Sequence, residues 1–514
     1  MNANKMIIFI LVTLNQIAIT SEDQPGRQHV YAMGFMDVRS GGLHDLHFSQ
    51  LLLTSSKDTP VQISTFLKTA SLQLRPHEVT YHFFHPDNER AKSIRQKELK
   101  GIIISSSHEI CVHGMSVDSG TMGGFRAHEI LPESTQFIIP AYSVSGDRSQ
   151  FLIVAAEDNT QVSTYVRSVK GGVSQQRQDI SMHRLEVYQD GYYHQDITGT
   201  AIESDKPVAV FSGIDCAEVP DGVNHCDNIV TGVPPVAQWG KSYVVPPIAG
   251  RGTFTGYIIR ALVAQNETTI HINGKLYSEN LSLGNFVELN TNDSSQIFTV
   301  DCSKPCLVVQ YNKGRDADGL HTDPFMLVLP PVTAYSTKQI WSTPLGLYHL
   351  PMNTYANIIV PRGKEAGIIL DGHVVDSQWD PCPGNLYSTT SIRVSPGYHE
   401  ARHADGATKL GVVTYGHATN DNAGFGYQAC AAGPEGQPDV SDWSECSNNA
   451  TYMFFGIGTV LGHILTLALG GAILWCYTRH LKRRRHQKIA NTNTMHNGAT
   501  NIIADNSRTA RNEV

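Results

Sequence analysis

The sequence predicts a mainly β protein: about four tandem antiparallel β-sandwich-like units, then one transmembrane helix and a disordered cytoplasmic tail. Three observations carry this reading. A turn-then-strand segment recurs as KDTPVQIS at Thr59, EDNTQVSTY at Thr160, QNETTIHING at Thr268 and KEAGIILDG at Ala366. A second strand recurs at Glu109, Pro207, Pro305 and Leu410, and a third at Pro140, Pro246 and Pro344, all in one shared register. Within these markers, apolar and polar residues alternate (Val162, Thr164 and Val166 against Ser163 and Tyr165), the period of a half-buried strand. Gly, Asn, Asp and Pro punctuate the strands at short intervals, as turns require.

The repeat of about 100 residues is domain-sized, far longer than the 20–50 residues of solenoid repeats or the 40–50 of a propeller blade. It divides the chain into β units at 31–135, 136–242, 243–337 and 338–432, which read as the parts of a rigid rod. One stretch breaks the pattern: PDNERAKSIRQKEL (Pro86–Leu99) has the composition of a helix.

Ahead of the first unit, residues 1–20 read as a secretory signal peptide. Lys5 supplies the basic region, Met6–Leu14 the apolar core, and Ala18 and Thr20 the small residues near cleavage. After the fourth unit, 433–450 is a polar stalk. The stretch 452–477 contains no Asp, Glu, Lys or Arg. A helix of that length crosses about 30 Å of hydrocarbon. Tyr452, Trp475 and Tyr477 sit at the ends, and the basic cluster Arg479–Lys488 follows on the side that the positive-inside bias assigns to the cytosol. The expected topology is single-pass type I in the plasma membrane, with the N-terminus extracellular. Gly458, Gly462, Thr466 and Gly470 form a small-residue stripe that suits a transmembrane homodimer. The tail, 478–514, is rich in Asn and Thr and has little to bury.

Composition narrows the function classes. With 39 Lys+Arg against 47 Asp+Glu, a net charge of −8, and basic residues concentrated in the tail, no folded stretch has the basic surplus of a nucleic-acid binder. Eight of the nine cysteines (Cys111, Cys216, Cys226, Cys302, Cys306, Cys382, Cys430 and Cys446) precede the apolar span, as expected for disulfides in an oxidising compartment. Cys216 and Cys226 bracket a loop with Pro220 and Gly222. Cys302 and Cys306 are close enough for a tight local bridge. Cys382 and Cys430 complete the candidates, with other pairings left open by spacing. The ninth, Cys476, lies at the cytosolic membrane edge. Sequons at Asn266, Asn280 and Asn292 are glycosylation candidates. A fourth, Asn449, almost touches the span.

No catalytic constellation is present, so neither an enzyme nor a cofactor is expected. His77-Glu78 and His82 have the wrong spacing for a zinc helix and lie in β-rich sequence. Asp316, Asp318, Gly319 and Asp323 are the best calcium candidates, although an ordinary Asp/Gly turn suits them better. Scattered histidines raise the idea of a pH sensor without a cluster to support it.

Glu203–Pro247 and His321–Tyr335 resemble the N-terminal domain of the IgGFc-binding protein family. The resemblance rests on a Lys206-Pro207 strand, a Cys-bracketed loop, Cys226-Asp227, and Pro234-Pro235 followed by Trp239-Gly240-Lys241. Asp323-Pro324 and Pro330-Pro331 complete it. It implies a non-enzymatic extracellular adhesion or recognition domain with a protein or glycan ligand. The alternative is a cell-surface receptor for a soluble, microbial or mucin-type ligand. Cys-rich von Willebrand D assemblies are absent from these residues, so gel-forming multimerisation is not implied. The Cys216–Cys226 loop, with Glu218, Asp221 and His225, is the expected contact.

Overall fold

The computed structural model describes residues 27–432, except 39–47, 119–120, 143–146, 168–175, 224–225, 253, 321, 346–351 and 419–422. The signal peptide, stalk, transmembrane helix with its stripe Gly458, Gly462, Thr466 and Gly470, and tail expected from sequence all lie outside the described residues. Among the described residues, no helix is long and apolar enough to cross a membrane.

The described chain is built from antiparallel sheets. His29–Met33, Ile102–Ser106, Thr59–Ser64 and Thr69–Leu74 form one four-stranded sheet. Thr80–Phe84, Phe48–Thr54, Cys111–Asp118 and Thr121–Arg126 form a second. Their inward residues, among them Leu51, Ile63, Ile104 and Phe125, share one core. A second pair unites Gln136–Ile138, Ala201–Ser204, Thr160–Val166 and Gln176–Met182 with a five-stranded sheet ordered Asp227–Val233, Val208–Ala217, Arg148–Ala155, Val187–Tyr193 and Gln96–Glu98. The third region is one seven-stranded sheet organised by the long strand Phe298–Asn312. That strand pairs with Gly240–Val245, Thr268–Ile272, Tyr257–Val263 and Met326–Val328. A last pair of five-stranded sheets centres on Gly397–His403 and on Met352–Pro361.

Alternation and burial agree where one face meets solvent. In Thr160–Val166 the side chains of Val162, Thr164 and Val166 are buried, and Gln161 is exposed. Strands caught between two cores lose that pattern. Arg148–Ala155 and Asp227–Val233 are buried along their whole length. In the first of these, Phe151 and Ile153 face one core while Leu152 and Val154 face another. Burying each such side chain contributes about 1.5–3 kcal/mol.

That sharing of cores is what assembles the molecule, and it overturns the expected rod. One core joins the first region to the second through Leu152, Val154 and Phe211. Another joins second to third through Ile214, Ile229, Ile258 and Tyr311. Val413 and Tyr415 of the fourth region enter the core of the third. Leu52 and Met115 of the first region pack with Phe425 and Tyr427 of the fourth. The contacts run in a closed circle, and the Cys111–Cys430 disulfide joins its first and last members covalently. A chain of sandwiches linked end to end leaves apolar faces wet at both ends, whereas a circle covers them.

Four strands, one from each region, meet at the middle of the circle: Thr121–Arg126, Asp227–Val233, Met326–Val328 and Gly424–Gln428. They approach so closely that a Cβ on Gly232 would lie 2.0 Å from the Arg126 carbonyl oxygen. Only glycine fits there. Asp227 fastens three of these strands. Its buried carboxylate accepts from the Thr121 hydroxyl and from the N–H groups of Met122 (3.0 Å), Asn228 (2.7 Å) and Gly424 (3.0 Å). Burial, and the neighbouring charge of Asp323, hold this carboxyl well above the usual range.

The helix expected over Pro86–Leu99 is also corrected. Only Pro86–Glu89 is helical, and Gln96–Glu98 is a strand paired to Val187–Gln189 of the second region. Arg95 turns the chain with φ of 59°, and the Glu98 carboxylate accepts from the Lys92 and Ser93 N–H groups, both at 2.8 Å. Tertiary pairing overrides local propensity here.

Candidate functional site

The Cys216–Cys226 bridge closes its loop as a local staple. Half of that loop is structural. Ala217 and Val219 are buried in the core shared with the third region, and the Val219 carbonyl accepts from the Gly314 N–H at 2.6 Å. Glu218 turns inward to accept from the Gly222 N–H at 3.1 Å. The exposed part is Asp221 and Gly222, a small tip, and His225 lies outside the described residues.

Cys302 bridges to Cys306, and Cys430 to Cys111 rather than to a neighbour in sequence. Cys382, named above as a bridge candidate, is a buried free thiol packed with Val244, Tyr335 and Ile359. Burial, aided by Asp380, pushes the thiol up to about 12. A thiol without thiolate character does not react. Iodoacetamide at pH 8 is therefore expected to leave the Cys382 peptide unmodified in the native protein and to label it fully in urea, as read by mass spectrometry. Rapid native labelling contradicts this burial.

Among the described residues, two ligand clusters resolve into structure. Cys111, His113 and Cys430 come together, as do Asp147, Cys216 and Cys226. In both, the sulfurs are joined in disulfides and offer no thiolate. His113 is also held at both nitrogens, by the Ser342 hydroxyl (2.9 Å) and the Gln428 carbonyl (3.1 Å). In the calcium candidate, one oxygen of Asp318 already accepts from Arg251 Nε (2.8 Å), the Gly252 N–H (3.1 Å) and the Thr255 hydroxyl (2.8 Å). The other accepts from the Leu320 N–H at 3.0 Å. Asp318 is thus an ion-paired loop organiser, while Asp323 is buried beside Asp227. His77 sits at a turn with φ of 63° and His82 lies on a strand against Phe84, so they share no helical face.

The histidines do carry a pH response, in the core rather than at a site. Burial pushes His113 down to about 3, and burial together with Arg251 pushes His417 down to about 4. Each is neutral in the fold and protonates on unfolding. Their stability contribution is therefore complete above about pH 6.5 and is lost as pH falls toward those values. At about 1.4 kcal/mol per pH unit for each group, roughly 2 kcal/mol per histidine is lost by pH 5. The urea midpoint is expected to fall between pH 7 and pH 5, and a flat profile would contradict this.

The three sequon asparagines are all exposed. Asn280 lies on the edge strand Lys275–Leu281. Asn266 is in the turn before Thr268–Ile272, where its side-chain oxygen accepts from the Leu283 N–H at 2.9 Å. Asn292 follows the strand Phe286–Asn290 at the opposite edge.

One feature had no signal in the sequence. A cavity of about 420 Å³ opens where the four regions converge. Arg126 enters from the first region, Gln238 and Trp239 from the second, Pro330 and Pro331 from the third and Gln428 from the fourth. The prolines and the tryptophan belong to the two motifs, PPVAQWG and LPPVTAY, each of which folds as an extended proline followed by one short 3-10 turn. The Trp239 indole N–H donates to the Pro234 carbonyl at 3.0 Å and locks the first of them.

Comparison with known proteins places these motifs. Residues 132–416 match the family described as IgGFc binding protein. A human IgGFc-binding protein is 23% identical over 390 residues, an alignment that takes in 72% of this chain and 7% of that relative. The chain therefore spans only a small fraction of the length of that relative. With the family match extending over more than half of its residues, the chain belongs to the IgGFc-binding protein family.

Proposed function

We propose that this protein is a single-pass type I cell-surface protein whose IgGFc-binding-protein-like ectodomain acts in extracellular adhesion or recognition, without enzymatic activity. The family match over residues 132–416 is the observation that carries the reading. The disulfide-linked β architecture supports an oxidising compartment. The leader-like residues 1–20 and the uncharged stretch 452–477 with its basic flank support the topology. The small-residue stripe of that stretch supports a homodimer in the bilayer. Recognition then works by surface complementarity of a rigid body whose loops face outward.

The test has two arms. An epitope placed between residues 21 and 27 is expected to stain on intact cells, and one after residue 488 only after permeabilisation; the reverse pattern ends the topology. Beads coated with the Ser21–Cys446 ectodomain are expected to clump if adhesion is homophilic. Dispersed beads carrying folded protein would remove that reading and leave heterophilic recognition.

A further inference from the structure

The central cavity has the chemistry of a binding site rather than of a packing defect. Its cation is Arg126, on the strand Thr121–Arg126. The guanidinium is incompletely partnered: Nη1 donates to the Ala429 carbonyl at 2.8 Å, whereas the buried Nε meets no acceptor among the described residues. Glu109 also lines the cavity, and its charge acts on the guanidinium without occupying that Nε. An arginine stays charged even when burial lowers its proton affinity, as it does here. His128, on the same wall, is pushed by burial and by Arg126 down to about 3 and is neutral. A guanidinium on the cavity wall favours an acceptor that carries negative charge, and a carboxylate is such an acceptor.

The remaining wall selects the body of that ligand. Gln238 and Gln428 also line the cavity, and neither side chain makes a hydrogen bond among the described residues. A purely apolar acid would strip water from both amides and return nothing. Hydroxyl groups would satisfy them. Trp239, Pro330 and Pro331 present flat apolar surface to the C–H face of a ring. The volume, about 420 Å³, lies within the usual range for small-molecule pockets.

We propose that this cavity binds a sugar acid, with its carboxylate on Arg126 and its hydroxyls on Gln238 and Gln428. The site exists only in the closed circle, because all four regions supply its walls. It names a ligand class for the recognition reading above and rests on that reading for where the ligand is met. The source is either a free sugar acid or the acidic end of a glycan.

The experiment is a titration of the purified full-length protein, followed by ligand-observed NMR. The probes are N-acetylneuraminic acid, glucuronic acid and 3′-sialyllactose, with the methyl ester of N-acetylneuraminic acid and benzoate as comparators. At least one sugar acid is expected to bind in the millimolar range or tighter, and its ester to be weaker by roughly tenfold, the loss of one charge-assisted contact. Binding of 3′-sialyllactose assigns the source to glycan ends; binding of the free acids alone assigns it to free sugar acids. Arg126→Gln is expected to abolish the difference between acid and ester. Should that variant fail to fold, Gln238→Leu, on the partly exposed turn Val236–Gln238, is expected to weaken the sugar acid several-fold and leave benzoate unchanged. Absence of binding by every sugar acid overturns the proposal, as does benzoate binding as tightly, or binding that survives both substitutions. Failure here leaves the cell-surface arms above untouched, and failure of surface staining leaves this titration standing.

Discussion

Cys111→Ser is expected to destabilise the folded protein by on the order of 5 kcal/mol. The bridge to Cys430 joins positions at a sequence separation of 319, and loop-closure entropy grows with the logarithm of that span. The same treatment gives only about 2 kcal/mol for the short bridge between Cys302 and Cys306. The pair of variants therefore makes a controlled comparison: both lose one disulfide, and only one loses the covalent closure of the circle. Calorimetry is expected to show a fall in Tm of several degrees for Cys111→Ser and a smaller one for Cys302→Ser. Hydrogen exchange is expected to rise selectively in Thr121–Arg126 and Gly424–Gln428, where the first and fourth regions meet. Equal shifts in Tm, or exchange unchanged at that seam, would show that packing alone holds the circle shut.

Arg260→Ala is expected to cost about 3–5 kcal/mol, the range for removing one partner from a buried ion pair. The side chain is 5% exposed and lies between the second and third regions. It is paired with Asp196 and Glu288, each at 2.8 Å. It donates to the Ala141 carbonyl (2.7 Å) and the Thr198 hydroxyl (2.9 Å). The guanidinium also lies 4.6 Å from the ring centre of Tyr142 and 4.5 Å from that of Phe286. Truncation leaves the buried Asp196 without its counter-charge, and that is the larger part of the loss. A double-mutant cycle with Asp196→Ala separates the terms. The double variant is expected to be less destabilised than the sum of the singles, by about 1–3 kcal/mol. Additive effects, or a cost for Arg260→Ala below about 1 kcal/mol, would sink the account.

Much of the β architecture was legible because half-buried strands announce themselves. Val162, Thr164 and Val166 alternate with polar neighbours, and the recurring Pro and Gly positions mark where strands end. Closure was not legible, since it depends on partners in different repeats, far apart along the chain. Gly232 looks like any strand glycine until the Arg126 carbonyl is placed against it. Cys111 has no nearby cysteine to suggest Cys430. Arg148, Ser149 and Gln150 are polar in sequence, yet all three are buried in a strand whose two faces meet different cores. Gln96–Glu98 reads as helix and is captured as a strand by Val187–Gln189. For the site, paired prolines and Trp239 were visible as motifs, but only the circle brings them to Arg126 and Gln428.

The covalent link between Cys111 and Cys430 also decides how the protein carries mechanical load. A pull applied across the two ends of residues 27–432 enters at one cysteine and leaves at the other. The chain between them sits outside the force path, and fully extended it would reach on the order of 1000 Å. Stretched singly, the oxidised protein should yield only residues 27–110 and 431–432, and reduction should release the rest. A body built this way keeps its four central strands, all of which lie between the two cysteines, out of the line of tension while its ends are pulled.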